Sequence, residues 1–152
     1  LWRVHQVTPA IGEMVLFNRS HYEEALVQRV RHGASIHSFR KIVRHIVHFE
    51  NLLVDSGTTV LKFYLNISKQ TQFERFKSRF NDPSRRWKLT DLDLQDRQHW
   101  DFFIQTYDEL ISSTSNKLAP WHVIPADDKQ IRDVFVALLL LNALESMPST
   151  VT

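Results

Sequence analysis

The chain is 152 residues long and 43% apolar, with 19 Lys/Arg against 17 Asp/Glu and no cysteine. That length supports one domain, or part of one, with a real core; the lack of cysteine excludes a disulfide framework and a thiolate metal site, and fits a reducing, cytoplasmic setting. A net charge of +2 excludes nothing, and the most apolar stretch, Val134 to Leu144, is too short to span a bilayer and contains Asn142, so it reads as a buried helix and no membrane is expected.

The chain opens with Leu1-Trp2-Arg3-Val4-His5, with neither an initiator Met nor a cap. Leu1 to Val7 reads as the end of a helix stopped before Pro9, and the expectation is a fragment of a longer chain. Met14–Phe17, four apolar residues following Pro9 and Gly12, reads as a strand buried on both faces. Ser20-His21-Tyr22-Glu23 then spells a capping box, in which the Ser20 hydroxyl accepts from the Glu23 amide and the Glu23 carboxylate reaches back. The helix it opens runs to about Arg31, with Tyr22, Leu26, Val27 and Val30 inward and Gly33 past its end. A basic amphipathic helix follows from Ile36 to about Val54. Ile36, Phe39, Val43, Ile46, Phe49 and Leu53 form its apolar stripe; His37, Arg40, Lys41, Arg44, His45 and His48 form its polar face, and Gly57 ends it.

Val60–Leu65 is β-branched and aromatic and reads as a second strand, with Asn66 and Ser68 as turn and cap. Lys69 to Phe80 reads as a helix with Phe73, Phe76 and Phe80 on one side, broken by Asn81-Asp82-Pro83-Ser84. Thr90 to Asp93 starts a helix expected to continue to about Ser113, burying Leu94, Trp100, Phe103, Ile104, Tyr107, Leu110 and Ile111. Trp121–Ile124 is the third strand, Pro125 to Asp128 its turn and cap, and a last helix runs to about Glu145 before a frayed tail. Strands alternating with helices predict parallel pairing with right-handed crossovers. Three strands make a thin sheet, which again predicts that its first part is absent.

Two places stand out chemically. Asn18 and Arg19 lie where the first strand passes into its helix, at the carboxyl edge that binds ligands in open α/β sheets. Free helix N–H groups and an Arg fork predict a phosphate there; a surface Arg beside an ordinary cap accounts for the same residues. The second place is a basic block. Lys69 to Lys88 holds seven Lys/Arg and two acids, and Leu89 to Asp101 holds four acids and one Arg. Arg75, Lys77, Arg79, Arg85, Arg86 and Lys88 sit on a helix end and a loop, where they can close over an anion as a lid does. The competing reading is a solvated loop paired with Asp91, Asp93 and Asp96. Trp87 within the block is expected to anchor the loop in an apolar slot. The eight histidines include no HExxH, and Arg44 and Lys41 crowd His45 and His48, so no metal site is assigned. A basic helix with interleaved aromatics also suits nucleic acid, but the small net charge argues against that partner. There is no G-x-x-x-x-G-K loop, since the only glycines are Gly12, Gly33 and Gly57.

Three stretches together resemble the polyphosphate kinase 2 family: Phe17-Asn18-Arg19-Ser20-His21-Tyr22-Glu23, Phe76 to Leu89 with its Arg85-Arg86-Trp87-Lys88-Leu89 end, and Ala119-Pro120-Trp121-His122-Val123-Ile124-Pro125-Ala126-Asp127-Asp128-Lys129. The resemblance covers nearly the whole chain, but only the C-terminal half to two-thirds of a member. It implies a three-layer α/β/α P-loop kinase-like parallel sheet, here incomplete, over residues 1–152 with a lid at about 75–92. It further implies Mg2+-dependent phosphoryl transfer between inorganic polyphosphate and a nucleoside mono- or diphosphate, in which Arg19 contacts phosphates and Arg75, Arg79, Arg85, Arg86 and Lys88 close over the phosphate chain. Arg19 and Lys88 are the catalytic candidates, and Asn18, Ser20 and Glu23 the nucleotide-site candidates. Two departures qualify it. Asn18 stands where many members have Asp, leaving a neutral carbonyl for any Mg2+. The family's Gly-rich phosphate loop is not in this sequence, so these residues alone are expected to be inactive. A nucleoside monophosphate kinase relative, or a non-catalytic anion- or nucleic-acid-binding module, are the alternatives. Exposed aromatics and the apolar last helix make a homo-oligomer plausible.

Overall fold

A computed structural model describes residues 1–147. These fall into two compact units, one of Leu1–Val60 with Thr90–Pro120 and one of Leu61–Leu89 with the residues from Trp121 onward.

The first unit is helical. It contains α1 (Trp2–His5), α2 (Tyr22–Val30), α3 (Ile36–Asp55), α5 (Asp91–Gln98) and α6 (Trp100–Thr114), the intervening α4 (Lys69–Asn81) belonging to the other unit. In α3, Ser35 caps the start by accepting from the Ser38 amide at 3.2 Å. The helix buries Phe39, Val43, Ile46 and Phe49, four of the six expected stripe residues; Ile36 is exposed and Leu53 half-buried. It ends in a Schellman motif: Gly57 adopts φ 87°, its amide donates to Val54 at 2.9 Å, and the Thr58 amide donates to Leu53 at 2.9 Å. α2 packs against α3 and α6, and α3 against α6. Leu26, Ala25, Phe39, Ile46 and Leu110 are each almost fully buried in this unit. Arg31, the C-cap of α2, grips Asp96 of α5 with two parallel bonds, Nε to Oδ1 at 2.8 Å and Nη2 to Oδ2 at 2.5 Å.

The second unit holds a two-stranded parallel sheet of β1 (Lys62–Asn66) and β2 (Trp121–Pro125), paired from Lys62 with Trp121 to Asn66 with Pro125. It also holds α4 (Lys69–Asn81), a 3-10 turn at Arg86–Lys88, and α7 (Lys129–Ser146), which packs on β2. The parallel pairing is the one the alternating strands and helices predict.

Four expectations fail, each for a physical reason. Met14–Phe17 is not a strand: it has no ladder partner among the described residues, and Met14 and Leu16 are 70% and 87% exposed. The single helix expected from Thr90 to about Ser113 is two, broken at His99 with φ −97° and ψ 20°. Trp100, Phe103, Tyr107, Leu110 and Thr114 recur at three- and four-residue steps, whereas Leu94 lies six before Trp100, off that stripe, and is exposed. The last helix is not buried. Val134, Phe135, Leu138, Leu141 and Leu144 stay exposed and Ala143 alone of its described residues is buried, because two strands offer little surface to cover it. Nor does Trp87 fill a slot; it is 74% exposed. Among the described residues no helix is long and apolar enough to cross a membrane.

Candidate functional site

In the second unit, parallel pairing brings the carboxyl ends of both strands to one edge, and a helix leaves from each. Ser68 caps α4, its hydroxyl accepting from the Thr71 amide at 3.1 Å. Asp128 caps α7, accepting from the amides of Gln130 at 2.7 Å and Ile131 at 3.1 Å. The edge is laced across. The Ala126 amide donates to the Asn66 carbonyl at 2.8 Å, and the Ser68 amide donates to Asp127 Oδ1 at 2.7 Å. This backbone bond, followed by the Thr71 and Ser68 side chains, holds the Asp127 carboxyl below the usual carboxylate range. Arg75 is turned to the same edge: its Nη2 donates to the carbonyls of Ala126 at 2.6 Å and Asp127 at 3.2 Å. Of the predicted lid cations it is the one whose Nη2 is spent on the protein itself.

The remaining cations lie on the last turns of α4 and the loop after it. Asp82, extended at the end of the helix, ties the loop into a knot. Its carboxylate accepts from the Ser84 hydroxyl at 2.7 Å, the Ser84 amide at 3.0 Å and Arg85 Nε at 2.5 Å. The Ser84 hydroxyl, then Arg85, pull its pKa down to about 2. Arg86 Nε donates to the Phe80 carbonyl at 2.9 Å, and its guanidinium lies 5.2 Å above the Phe80 ring. Trp87 Nε1 donates to the Ser84 carbonyl at 3.0 Å, and the Lys88 ammonium stands 5.3 Å over the Trp87 ring. Trp87 thus shapes the loop from outside, as a platform for Lys88. An Arg carries five N–H donors, so the bonds to Arg85 and Arg86 leave the Nη groups of both for an outside anion. Arg79, half-buried on α4, has no carboxylate partner among the described residues.

Asp96 is held by Arg31, and Asp93 closes a true capping box with Thr90, accepting from its amide at 2.8 Å. The predicted lid, about 75–92, is divided: its cations fall in the second unit, and Thr90–Leu92 open α5 in the first.

In the first unit, Arg19 is the single non-glycine residue with a positive φ among the described residues, at 68°. Such a left-handed conformation in a residue with a side chain is uncommon and clusters at functional sites. The Arg19 side chain is 80% exposed, with Nη1 3.7 Å from Glu23 Oε1. That separation is an ion pair across solvent rather than a hydrogen bond. The expected capping box does not form. His21, not Ser20, is the N-cap of α2, so the Ser20 hydroxyl is in register with the Tyr22 amide, at 3.4 Å, while the Glu23 amide takes the Ser20 carbonyl at 3.0 Å. Asn18 is exposed beside them.

Two groups escaped the sequence reading. Glu50 is 2% exposed and accepts from the Tyr22 hydroxyl at 2.6 Å. Its signal was present: it stands four after Ile46 and seven after Val43, a carboxylate on the apolar stripe. The Asp127–Ser68 bond, across 59 residues, had no local signal. Among the described residues no group of three or more His, Asp or Glu could hold a metal ion. Mg2+ takes six oxygens in octahedral array, and Asn18 offers one neutral carbonyl while Asp127 is engaged by Ser68, so these residues do not by themselves build its site.

The profile of the family described as Polyphosphate kinase 2 (PPK2) matches residues 1–151. An AMP/ADP-polyphosphate phosphotransferase of Meiothermus ruber is 46% identical over 147 residues, covering 97% of this chain and 55% of that protein. An ADP-polyphosphate phosphotransferase of Rhodopseudomonas palustris is 35% identical over 160 residues, with the same two coverages, 97% and 55%. The crystal structure of polyphosphate kinase 2 from Arthrobacter aurescens superposes with a TM-score of 0.90 at 37% identity, covering 99% of this chain and 55% of that one. The chain spans about half the length of the curated relatives it matches.

Proposed function

The chain belongs to the polyphosphate kinase 2 family, and from that premise we propose that it supplies the lid and one phosphate site of a phosphotransferase acting between inorganic polyphosphate and a nucleoside mono- or diphosphate. In the synthetic direction, the terminal phosphate oxygen of the nucleotide attacks the end phosphorus of polyphosphate. The bridging P–O bond breaks, the nucleotide gains a phosphate and the polymer is shortened by one. Catalysis of such a transfer is positioning and charge stabilisation.

The observation that carries this reading is the knotted loop after α4. Asp82 holds Arg85 by Nε, and the Phe80 carbonyl and ring hold Arg86, so both guanidinium groups are oriented in advance with their Nη donors unspent. Lys88 and Arg79 add charge on the same short segment. A polyanion offers an oxygen at every phosphate, so each cation engages a different one. Arg19 takes a phosphate in the first unit, its strained backbone setting the fork, with Asn18, Ser20 and Glu23 beside it on the nucleotide side. Mg2+ would be carried mainly by the substrates' own phosphate oxygens, where it neutralises charge. Bracing of the strand edge, rather than phosphate contact, is the role the geometry favours for Arg75.

Because the sequence has no G-x-x-x-x-G-K loop, these 152 residues alone are expected not to turn over. The test is ATP formation from ADP and polyphosphate by the full-length protein. Arg19→Ala and Lys88→Ala should each lower turnover sharply, with folding intact by circular dichroism. Unchanged turnover in both would overturn the assignment.

A further inference from the structure

The buried Tyr22–Glu50 pair lies outside the phosphate-facing groups, yet it is built three residues from Arg19. A carboxylate is costly to bury unless it is hydrogen-bonded, and two apolar side chains would fill the space with less penalty. Glu50 is nevertheless 2% exposed and Tyr22 4% exposed, with 2.6 Å between hydroxyl and Oε1. The Thr114 side chain of α6 reaches the same hydroxyl, so three helices meet there. Tyr22 is the first residue of α2, and its position fixes where the preceding turn begins.

The other side of the turn is pinned as well. The His21 ring stacks on Tyr22 at 4.9 Å and stands edge-on to Phe49 at 5.6 Å, and Phe17 is edge-on to His21 at 6.5 Å. Between these anchors lie only Asn18, Arg19 and Ser20. A left-handed Arg persists when its surroundings over-determine it, and this clamp does so. Relaxing either anchor lets Arg19 return to an ordinary φ and swings its guanidinium away.

We infer that Glu50 and Tyr22 are positioning residues for Arg19, a buried acid–phenol clamp holding the Asn18–Ser20 turn so that the guanidinium faces a phosphate. The inference rests on the reading of Arg19 as a phosphate contact. In the full-length protein, Tyr22→Phe removes one hydroxyl and Glu50→Gln keeps an acceptor of the same shape. Tyr22→Phe should lower kcat for polyphosphate by about 10- to 100-fold, the scale of a misplaced catalytic group. Glu50→Gln should lose less than Glu50→Leu. In an Arg19→Ala background, Tyr22→Phe should cost nothing more, because the group it positions is gone. An Arg19→Ala enzyme with full turnover refutes the phosphate contact itself. If Arg19→Ala is impaired and Tyr22→Phe multiplies that loss, the clamp is merely structural and the phosphate contact stands. Should Tyr22→Phe fail to fold, the same comparison with Glu50→Gln against Glu50→Leu decides.

Discussion

Salt dependence separates a polyanion-binding loop from a solvated one. Four of the five predicted lid cations, Arg79, Arg85, Arg86 and Lys88, keep all their Nη or ammonium N–H groups for an outside ligand, whereas Arg75 commits Nη2 to the Ala126 and Asp127 carbonyls, which turns its guanidinium to the strand edge. Each phosphate neutralised releases condensed counterions, with a slope of about 0.7 in log K against log salt for a single strand. Four contacts then give a slope of about −2.8, a loss of about 50-fold in affinity between about 50 and 200 mM salt. Arg85→Ala/Lys88→Ala should flatten it by about 1.4, leaving a loss of about 7-fold. Arg75→Ala should leave the slope alone and lower Tm, since it removes a brace and not a contact. The assay is titration of a long polyphosphate into the full-length protein and its variants at several salt concentrations, with ADP in parallel. An unchanged slope in the Arg85/Lys88 variant would mean the loop is only solvated; a slope flattened by Arg75→Ala would contradict the bracing geometry.

Three further outcomes follow from local structure. Gly57→Ala forces a side chain into φ 87° with open space around it; the strain should cost about 1–2 kcal/mol, read in denaturant titration. Tyr22 titrates well above its ordinary 10.0, through burial first and Glu50 second, so its contribution is complete below pH 10 and is lost as pH rises beyond. The denaturation midpoint should therefore fall faster above pH 10 in the wild type than in Tyr22→Phe. Asp82 is depressed to about 2 from 3.8, so the stability its knot contributes is complete above pH 3.8 and lost as pH falls toward 2, while the knot itself opens only as the folded carboxyl protonates near pH 2. Trp87 emission, taken as the difference from Trp87→Phe, should be flat from pH 7 to about 3 and change around pH 2, where the folded Asp82 carboxyl protonates.

What the sequence made legible was what local chemistry decides. The bounds of α3 and α4, the Ser68 and Asp128 caps and the Thr90 start all follow from side chains within four residues of the backbone groups they satisfy. Met14–Phe17 failed because an apolar run reports a preference for burial and says nothing about whether a strand lies beside it. The Ser20 box failed by one residue of register, which the backbone at His21 decides. Within the site, the density of cations after Arg75 was plain from composition. Which of them face outward was not, because Arg75 is recruited by carbonyls 51 and 52 positions away. Glu50 was legible only by asking why a carboxylate shares a face with Phe39, Val43 and Ile46.

The Asp127–Ser68 bond sets an order of events during synthesis. The amide at the head of α4 finds its acceptor 59 residues further along the chain. A ribosome adding about 5–20 residues per second takes roughly 3–12 s to cover that distance. Through that interval α4 can coil on its own Ser68 cap, but neither the strand edge nor the brace from Arg75 exists. Slowing translation between Leu89 and Pro120 would lengthen the time the basic segment stays unbraced and exposed to any polyanion in reach. The segment is then tied down from its far end, after its own helix is already made.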